Sequence, residues 1–389
     1  MGSAALLLSG CSLFGSDEPK PTPFLPPAVT PVKALTESEG IVRVLARTGA
    51  LSGDEKWVQR FTQETDCQVE VTEFADSADF DNRTEPASDP TESADGAAAV
   101  GQTGRVLEAD LAMVPGEFAL DLVGAGTVAP INLDLLPAAD GIVDELQTPR
   151  WSSWNGIDYG LAVGRGYYAV DGGATSLAEV FTAGANPNLP NTSMMLAAAA
   201  LVLQQPATGA TTDDNSEPAP ITDPFALDSD QLASVQALTT AAGPAPLPVA
   251  GGEGSGPTLA PAATLPGGQP PSDGVLGWSD SWMVPTEPAH PTCAYRLLDA
   301  VLAPQVNLAM AQALGIAPSV AAACPEDADG ICATSRAGDE DFWADVDFTI
   351  SPLQQCLDGR EEIRCSDSAD FAAAWTAALT GQGDGPAGT

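Results

Sequence analysis

Three consecutive stretches constrain this chain more than anything else in it: "IVRVLA" at 41–46, the segment 54–65 carrying Trp57, Val58 and Phe61, and "CQVEVTEF" at 67–74. The first is a β-branched apolar run of the length of a buried strand. In the second, the large apolar residues fall on one helical face, and Asp54 and Glu55 occupy the first turn, where carboxylates suit the positive end of the helix dipole. The third alternates Cys67, Val69 and Val71 with polar residues, the pattern of a half-buried strand. Strand, helix and strand in this order predict the start of a parallel α/β sheet.

The same alternation of elements continues. "ADLAMV" (109–114) predicts a third strand, and "GEFALDLVGAG" a helix that closes on glycine. Between them, the acidic, Ala/Gly/Ser-rich stretch 76–105 predicts a surface loop. Helices are expected near 176–182, 191–205 and 228–240. The Pro/Gly-rich stretch 243–274 offers little room for a central strand, because proline cannot donate to a ladder. "GWSDSWMVP" then reads as one strand with Trp278 and Trp282 on the same side. Two helices follow, "HPTCAYRLLDAVL" with proline near its start and "APQVNLAMAQALG" closed by Gly315. A last helix, 368–380, sets Phe371 and Trp375 four residues apart on one face. The 389 residues suffice for two domains or one large two-lobed body.

Charge narrows the function. With 14 basic against 53 acidic residues, the formal net charge is −39, the wrong sign for nucleic-acid binding. The single histidine, His290, argues against a Ser-His-Asp hydrolase or a His-ligated metal centre, and its neighbour Pro291 makes it a helix-start residue. No metal site, cofactor or catalytic constellation is expected. No apolar run approaches the length of a membrane-spanning helix.

Seven cysteines are present, and setting Cys11 aside leaves six, an even number that suits three disulfides in an oxidising compartment. Cys356 and Cys365 flank a short polar loop that a disulfide can close, and Cys324 and Cys332 flank another. Cys67 and Cys293 then remain to pair across a large loop. The spacing alone leaves the pairing open. A zinc site is the competing reading, but there is no CxxC pair and no histidine to support it.

Cys11 is set aside because "LLLSGC" resembles the lipobox of bacterial lipoproteins, in which the cysteine becomes the lipidated N-terminus. The apolar run Ala4–Leu8 is short and no Lys or Arg precedes it, so the expectation is residues 1–11 as a residual signal, with most of it upstream. Residues 12–40, with "DEPKPTPFLPPAVTPVK", are expected to be a Pro-rich tether.

"FTQETDCQVEVTEF", "DLAMVPGEFALDLVGAGTVAPINLDLLP" and "GWSDSWMVPTEPAHPTCAYRLLDAVLAPQVNLAMAQALG" together resemble the extracellular solute-binding proteins of bacterial ABC importers, in their spermidine/putrescine-binding branch. "FWADVDFTISPLQQCLDGREEIRC" and the helix ending "AAAWTAAL" resemble the C-terminal signature of a cysteine-containing subgroup. The resemblance covers most of 41–380 and breaks at 76–105 and 243–274. It implies an α/β, two-lobed type II periplasmic-binding-protein fold, with a mixed sheet in each lobe and a ligand cleft between them. The chain would cross near Gly164–Gly166 and just before Trp278, giving lobe 1 as 41–165 with 278–316 and lobe 2 as 166–277 with 317–389. It also implies a non-enzymatic monomer that captures a small polar solute and serves ABC permease subunits. Such a protein would be extracytoplasmic and attached to the outer face of the membrane through its lipid anchor only.

The binding residues depart from that branch. A polyamine cleft needs aromatic faces for ammonium groups and carboxylates for their charge. Arg47 stands near the aromatic expected after the first strand and Ala50 near the second, while "NLPNTSMML" has no carboxylate at all. Only Trp278 and Asp280 match, so the resemblance implies the fold more firmly than a polyamine ligand. The ligand-binding candidates are Trp278, Asp280, Arg47, Glu117 and Arg165. For each, a structural role competes: Trp278 as core, Glu117 as a charge favouring a helix N-terminus, Arg165 as part of a hinge. The competing function is a degenerate scaffold of the same fold serving as a surface sensor or structural lipoprotein without transport.

Overall fold

The computed structural model describes residues 21–51, 55–84, 105–204, 220–247, 256–325 and 329–381. The lipobox at Leu8–Cys11, the start of the Pro-rich segment and residues 85–104 of the insertion lie outside the described residues.

The chain enters through β1 (Ile41–Arg47), α1 (Glu55–Thr65), β2 (Gln68–Phe74), α2 (Ser77–Thr84), β3 (Leu111–Pro115), α3 (Gly116–Ala125) and β4 (Val128–Ala129). A small ribbon, β5 (Ser153–Trp154) and β6 (Ile157–Asp158), precedes β7 (Gly160–Ala162), β8 (Gly164–Asp171), α4 (Leu177–Val180) and β9 (Asn188–Leu189). After α5 (Met195–Gln204) and α6 (Ser229–Ala242) come β10 (Ala245–Pro246), β11 (Thr258–Pro261), β12 (Val275–Trp278) and β13 (Asp280–Pro285). Helices α7 (Pro291–Val301) and α8 (Pro304–Leu314), strands β14 (Ala317–Pro318) and β15 (Val346–Phe348), and the C-terminal helix Ser368–Thr380 complete the order.

Two sheets result. The first is six-stranded, in the order β2-β1-β3-β13-β4 with β7 also on β13. The second is seven-stranded, in the order β10-β9-β11-β8-β12-β15 with β14 on β8. β1 lies parallel to β2 over its whole length, as the strand–helix–strand pattern predicts. Its neighbour β3 is buried at every position, which is why its sequence is continuously apolar instead of alternating. Trp282, Tyr295, Phe74 and Phe80 are among the largest fully buried side chains of the core, with Phe181, Phe225 and Phe371.

The two sheets are joined by very short crossings. Between β7 and β8 only Val163 intervenes, and between β12 and β13 only Ser279. The two crossings lie side by side: the Val163 amide donates to the Asp280 carbonyl at 2.9 Å, and the Ser279 hydroxyl donates to the Gly164 carbonyl at 2.6 Å.

Several sequence expectations need correction here. "GWSDSWMVP" is two strands in different sheets, so Trp278 ends β12 while Trp282 lies within β13 and is fully buried. The crossover therefore comes just after Trp278, not before it. The stretch 243–274 does supply an internal strand, β11, between β9 and β8. Its prolines do not prevent this because Pro257 precedes the strand and Pro261 ends it. The predicted surface loop begins with a helix, α2, whose Phe80 is wholly buried between Phe74 and Phe118. The Pro-rich segment forms neither helix nor strand from residue 21 to 40, yet it packs on the body. Phe24 packs edge-on to Trp154 at 4.7 Å and its amide donates to Gln355 Oε1, while Asn132 Nδ2 donates to the Val32 carbonyl.

All six cysteines of the body are paired: Cys67–Cys293, Cys324–Cys332 and Cys356–Cys365. The first links the start of β2 to α7, on either side of the excursion through the second sheet.

Candidate functional site

A cavity of about 830 Å³ opens between the two sheets. From the first sheet it receives the ends of β1 and β3, with Arg47, Pro115, Gly116 and Glu117, and the start of α2. From the second it receives Tyr168 of β8, Asn191 and Thr192 after β9, Pro261 of β11 and Trp278 of β12. The carboxyl ends of parallel strands are where ligands bind in open α/β sheets, since the loops there are free of the ladder. A second cavity of about 550 Å³, where Phe24 and Leu25 meet Asp121 and Asp367, is smaller and is walled by the docked N-terminal segment. Arg47, Glu117 and Asp280 from the side of the first sheet meet Tyr168 and Trp278 of the second in the first cavity, so that one is the candidate site.

At its floor Arg47 and Asp280 form a bidentate pair. Arg47 Nε donates to Asp280 Oδ2 at 2.7 Å and Nη2 to Oδ1 at 2.9 Å. The guanidinium lies 5.2 Å from the ring centroid of Phe74 and 5.2 Å from that of Trp278. Burial alone would lower the pKa of Arg47, but the charge and hydrogen bonds of Asp280 outweigh it and hold the cation firmly protonated.

Strand register explains the convergence. Arg47 is the last residue of β1 and pairs with Phe74, the last of β2; Asp280 opens β13 opposite Pro115, the last of β3. Trp278 reaches the same point from β12 because β8 has no side chain in its way. A Cβ on Gly166 would stand 2.4 Å from Trp278 Cε2, so only glycine admits the indole here.

Glu117 occupies the first turn of α3 and spans the cleft. Its Oε2 accepts from Thr192 Oγ1 at 2.7 Å, and the Ser77 hydroxyl on α2 is a second partner. Burial raises the carboxyl above the usual range, and those two hydroxyls only partly offset it. Tyr168 faces the same charges, and burial pushes its phenol above its ordinary value. The site therefore offers one self-satisfied ion pair, one carboxyl with hydroxyl partners, a phenol, the Asn191 amide, and apolar walls from Pro115, Pro190, Pro246 and Leu247.

Four of the five nominated residues, Arg47, Glu117, Trp278 and Asp280, line this cavity. Arg165 does not. It is buried on the other side of β8, with Nη2 donating to the Ala337 carbonyl, Glu145 Oε1 3.4 Å from Nη1, and Trp343 beneath the guanidinium. Strand alternation accounts for the miss: Gly166 and Tyr168 share one side of β8, and Arg165 and Tyr167 the other. Tyr168, Thr192 and Ser77 were not nominated from sequence. Tyr168 was legible in principle, since it sits in phase with the glycine under Trp278.

Among the described residues no group of three or more His, Cys, Asp or Glu side chains is arranged to hold a metal ion. His290 starts α7, with Nδ1 2.8 Å from Asp110 Oδ2.

No family model matches the sequence, and no curated protein matches it. Solved structures do match the fold. The spermidine/putrescine ABC transporter substrate-binding protein PotD of Streptococcus pneumoniae, in complex with calcium and HEPES, aligns with a TM-score of 0.57 at 11% identity, covering 88% of this chain and 100% of that one. The Tp0655 (TpPotD) lipoprotein of Treponema pallidum gives 0.56 at 12%, covering 87% and 99%. MotA of Agrobacterium tumefaciens, a periplasmic binding protein in complex with glucopine, gives 0.55 at 13%, covering 88% and 99%. At such identities the likeness speaks to the fold alone: α/β, two-lobed, of the type II periplasmic-binding-protein kind.

Proposed function

We propose that the chain is the extracytoplasmic solute-binding subunit of an ABC importer, non-enzymatic and monomeric, with a membrane permease as its partner. The observation that carries this reading is the cavity between the sheets, into which both sheets send buried polar groups. A solute held there contacts both lobes, so it favours their closed arrangement over the open one in proportion to its difference in affinity. Arg47, Glu117, Trp278 and Asp280 are its contacts in this reading, joined by Tyr168 and Thr192. The lobes are the two sheets with their helices, lobe 1 holding 41–163 and the segment from Ser279 through α8. Lipidation of Cys11 holds the protein at the outer face of the membrane; two or more acyl chains give stable attachment.

Solved neighbours of this fold include proteins titled for polyamines and for an opine. The Arg47 end suits neither a diamine nor a polyamine, because Arg47 already holds the carboxylate of Asp280 and the faces of Trp278 and Phe74 that an ammonium would need. The solute is small and polar, and it carries hydrogen-bond donors toward Glu117. Calorimetric titration against putrescine, spermidine and a panel of amino acids, opines and sugars tests this; the expected outcome is saturable binding outside the polyamines. Sub-micromolar affinity for either polyamine would sink the altered-site reading. Cys11→Ser is expected to move the protein from the membrane fraction to the medium.

The satisfied Arg47–Asp280 pair favours a second reading, a scaffold that has given up transport and acts as a surface sensor or structural lipoprotein. Absence of binding across the panel, with no permease genes beside the coding sequence, selects it.

A further inference from the structure

Asp280, Trp278 and Phe74 together form a small box suited to a cation: a carboxylate with both oxygens directed at one group, and two aromatic rings at equal distance from it. The box is assembled from β2, β12 and β13, on both sides of the cleft; Trp278 and Asp280 line the cavity, and Phe74 is buried behind the guanidinium. Its present occupant is the guanidinium of Arg47. The Arg47 side chain is 16% exposed and the Asp280 side chain 2%, so the arginine lies on the solvent side and the carboxylate at the bottom.

We propose that Arg47 is a built-in occupant of a cation subsite, and that its removal uncovers a site for an alkylguanidinium or alkylammonium ion. The inference rests on reading the cleft as the ligand site. Its consequence is selective: the native cleft has spent its aromatic–carboxylate end on Arg47, which leaves that end as a neutral wall of the cavity and leaves no carboxylate there for a solute's cation. A cationic solute that needs both ends is refused.

The test compares the wild-type protein, Arg47→Ala and the double variant Arg47→Ala/Asp280→Asn, using methylguanidinium and methylammonium chloride as probes. Calorimetry and thermal unfolding are read at millimolar probe, with sodium chloride as the ionic control. In Arg47→Ala, methylguanidinium is expected to bind at least about tenfold more tightly than to wild type and to raise the melting temperature, as any ligand selective for the folded state does. The double variant, which has no buried carboxylate to satisfy, is expected to lose that gain. Should Arg47→Ala fail to fold by itself, refolding with and without the probe decides: recovery with methylguanidinium but not with sodium chloride supports the inference, and recovery with neither overturns it. Equal probe affinity in all three proteins also overturns it. Those failures leave the proposed function standing wherever the wild-type protein binds a solute of the panel, and fall with it where it binds none.

Discussion

Replacing Cys67 and Cys293 by alanine removes the one cross-link that spans the excursion of the chain through the second sheet. The two cysteines are 226 residues apart in sequence, against 8 for Cys324–Cys332 and 9 for Cys356–Cys365. On the loop-entropy account, closing so long a loop in the unfolded chain stabilises the native state by about 5 kcal/mol, and each short loop by about 2.5 kcal/mol. The local structure adds to the contrast. Both sulfurs are fully buried, and Glu39 accepts from the amides of Thr292 and Cys293 at 3.0 and 2.9 Å, fixing the start of α7 beside β1. The assay is urea unfolding followed by tryptophan fluorescence, with Cys67→Ala/Cys293→Ala measured beside Cys324→Ala/Cys332→Ala. The expected result is a loss roughly twice as large for the long pair. If the lobes unfold in separate phases, the loss falls on the phase that carries the first sheet. Equal or smaller destabilisation by the long-pair variant would refute the reasoning, since it would show that the unfolded chain already holds these two segments together or that the gain is not entropic.

Three further outcomes follow from the described geometry. Burial raises Asp121 to about 7, so the folded state holds its proton over a range where the unfolded chain, at the ordinary value of 3.8, has lost it. Stability at this site is therefore full below about pH 4 and is lost as pH rises through 7, with Asp347, raised to about 6, adding the same sign. Asp121→Asn, which removes a charge that is still partly solvated, is expected to gain about 1–2 kcal/mol at pH 7.5 and almost nothing at pH 4, by urea unfolding at both. Gly166→Ala would drive a methyl into the Trp278 ring and is expected to cost about 1–3 kcal/mol. A double-mutant cycle with Trp278→Ala should recover most of that loss. Asp280→Asn leaves the Arg47 cation without its carboxylate and is expected to cost about 3–5 kcal/mol, whereas Arg47→Met/Asp280→Leu should cost much less.

What the sequence revealed followed from local periodicity. β1 announces itself as a short apolar run and α1 and β2 by their own repeats, and the two short disulfides close loops of the length that cysteine spacing indicates. The α2 helix escaped because Phe80 is its only large apolar residue, although Asp76 accepting from the Asp79 amide is a start signal visible as two aspartates three apart. The break at Ser279 escaped for a different reason: a residue that moves the chain from one sheet to another leaves no mark on alternation, so Trp278 and Trp282 kept the spacing of a single strand. At the site, the pairing of Arg47 with Asp280 depends on strand ends 233 residues apart meeting in register, which one sequence does not encode locally. The resemblance to solute-binding proteins placed Trp278 and Asp280 near that point and marked Arg47 as a departure there; the contact between them required the fold.

Were Cys11 lipidated as proposed, the docked N-terminal segment would set how far the protein could stray from its anchor. Phe24 follows Cys11 by thirteen residues, whereas β1 begins thirty residues after it. At about 3.3–3.6 Å per residue, the first span reaches at most ~45 Å and the second about 100 Å. With Cys11 as the lipidated residue, the layer above the membrane open to the body thins about twofold, and its concentration at a permease in the same membrane rises by a similar factor. The Phe24–Trp154 contact then acts as a length setting on the leash, and Phe24→Ser would lengthen it without touching the cleft.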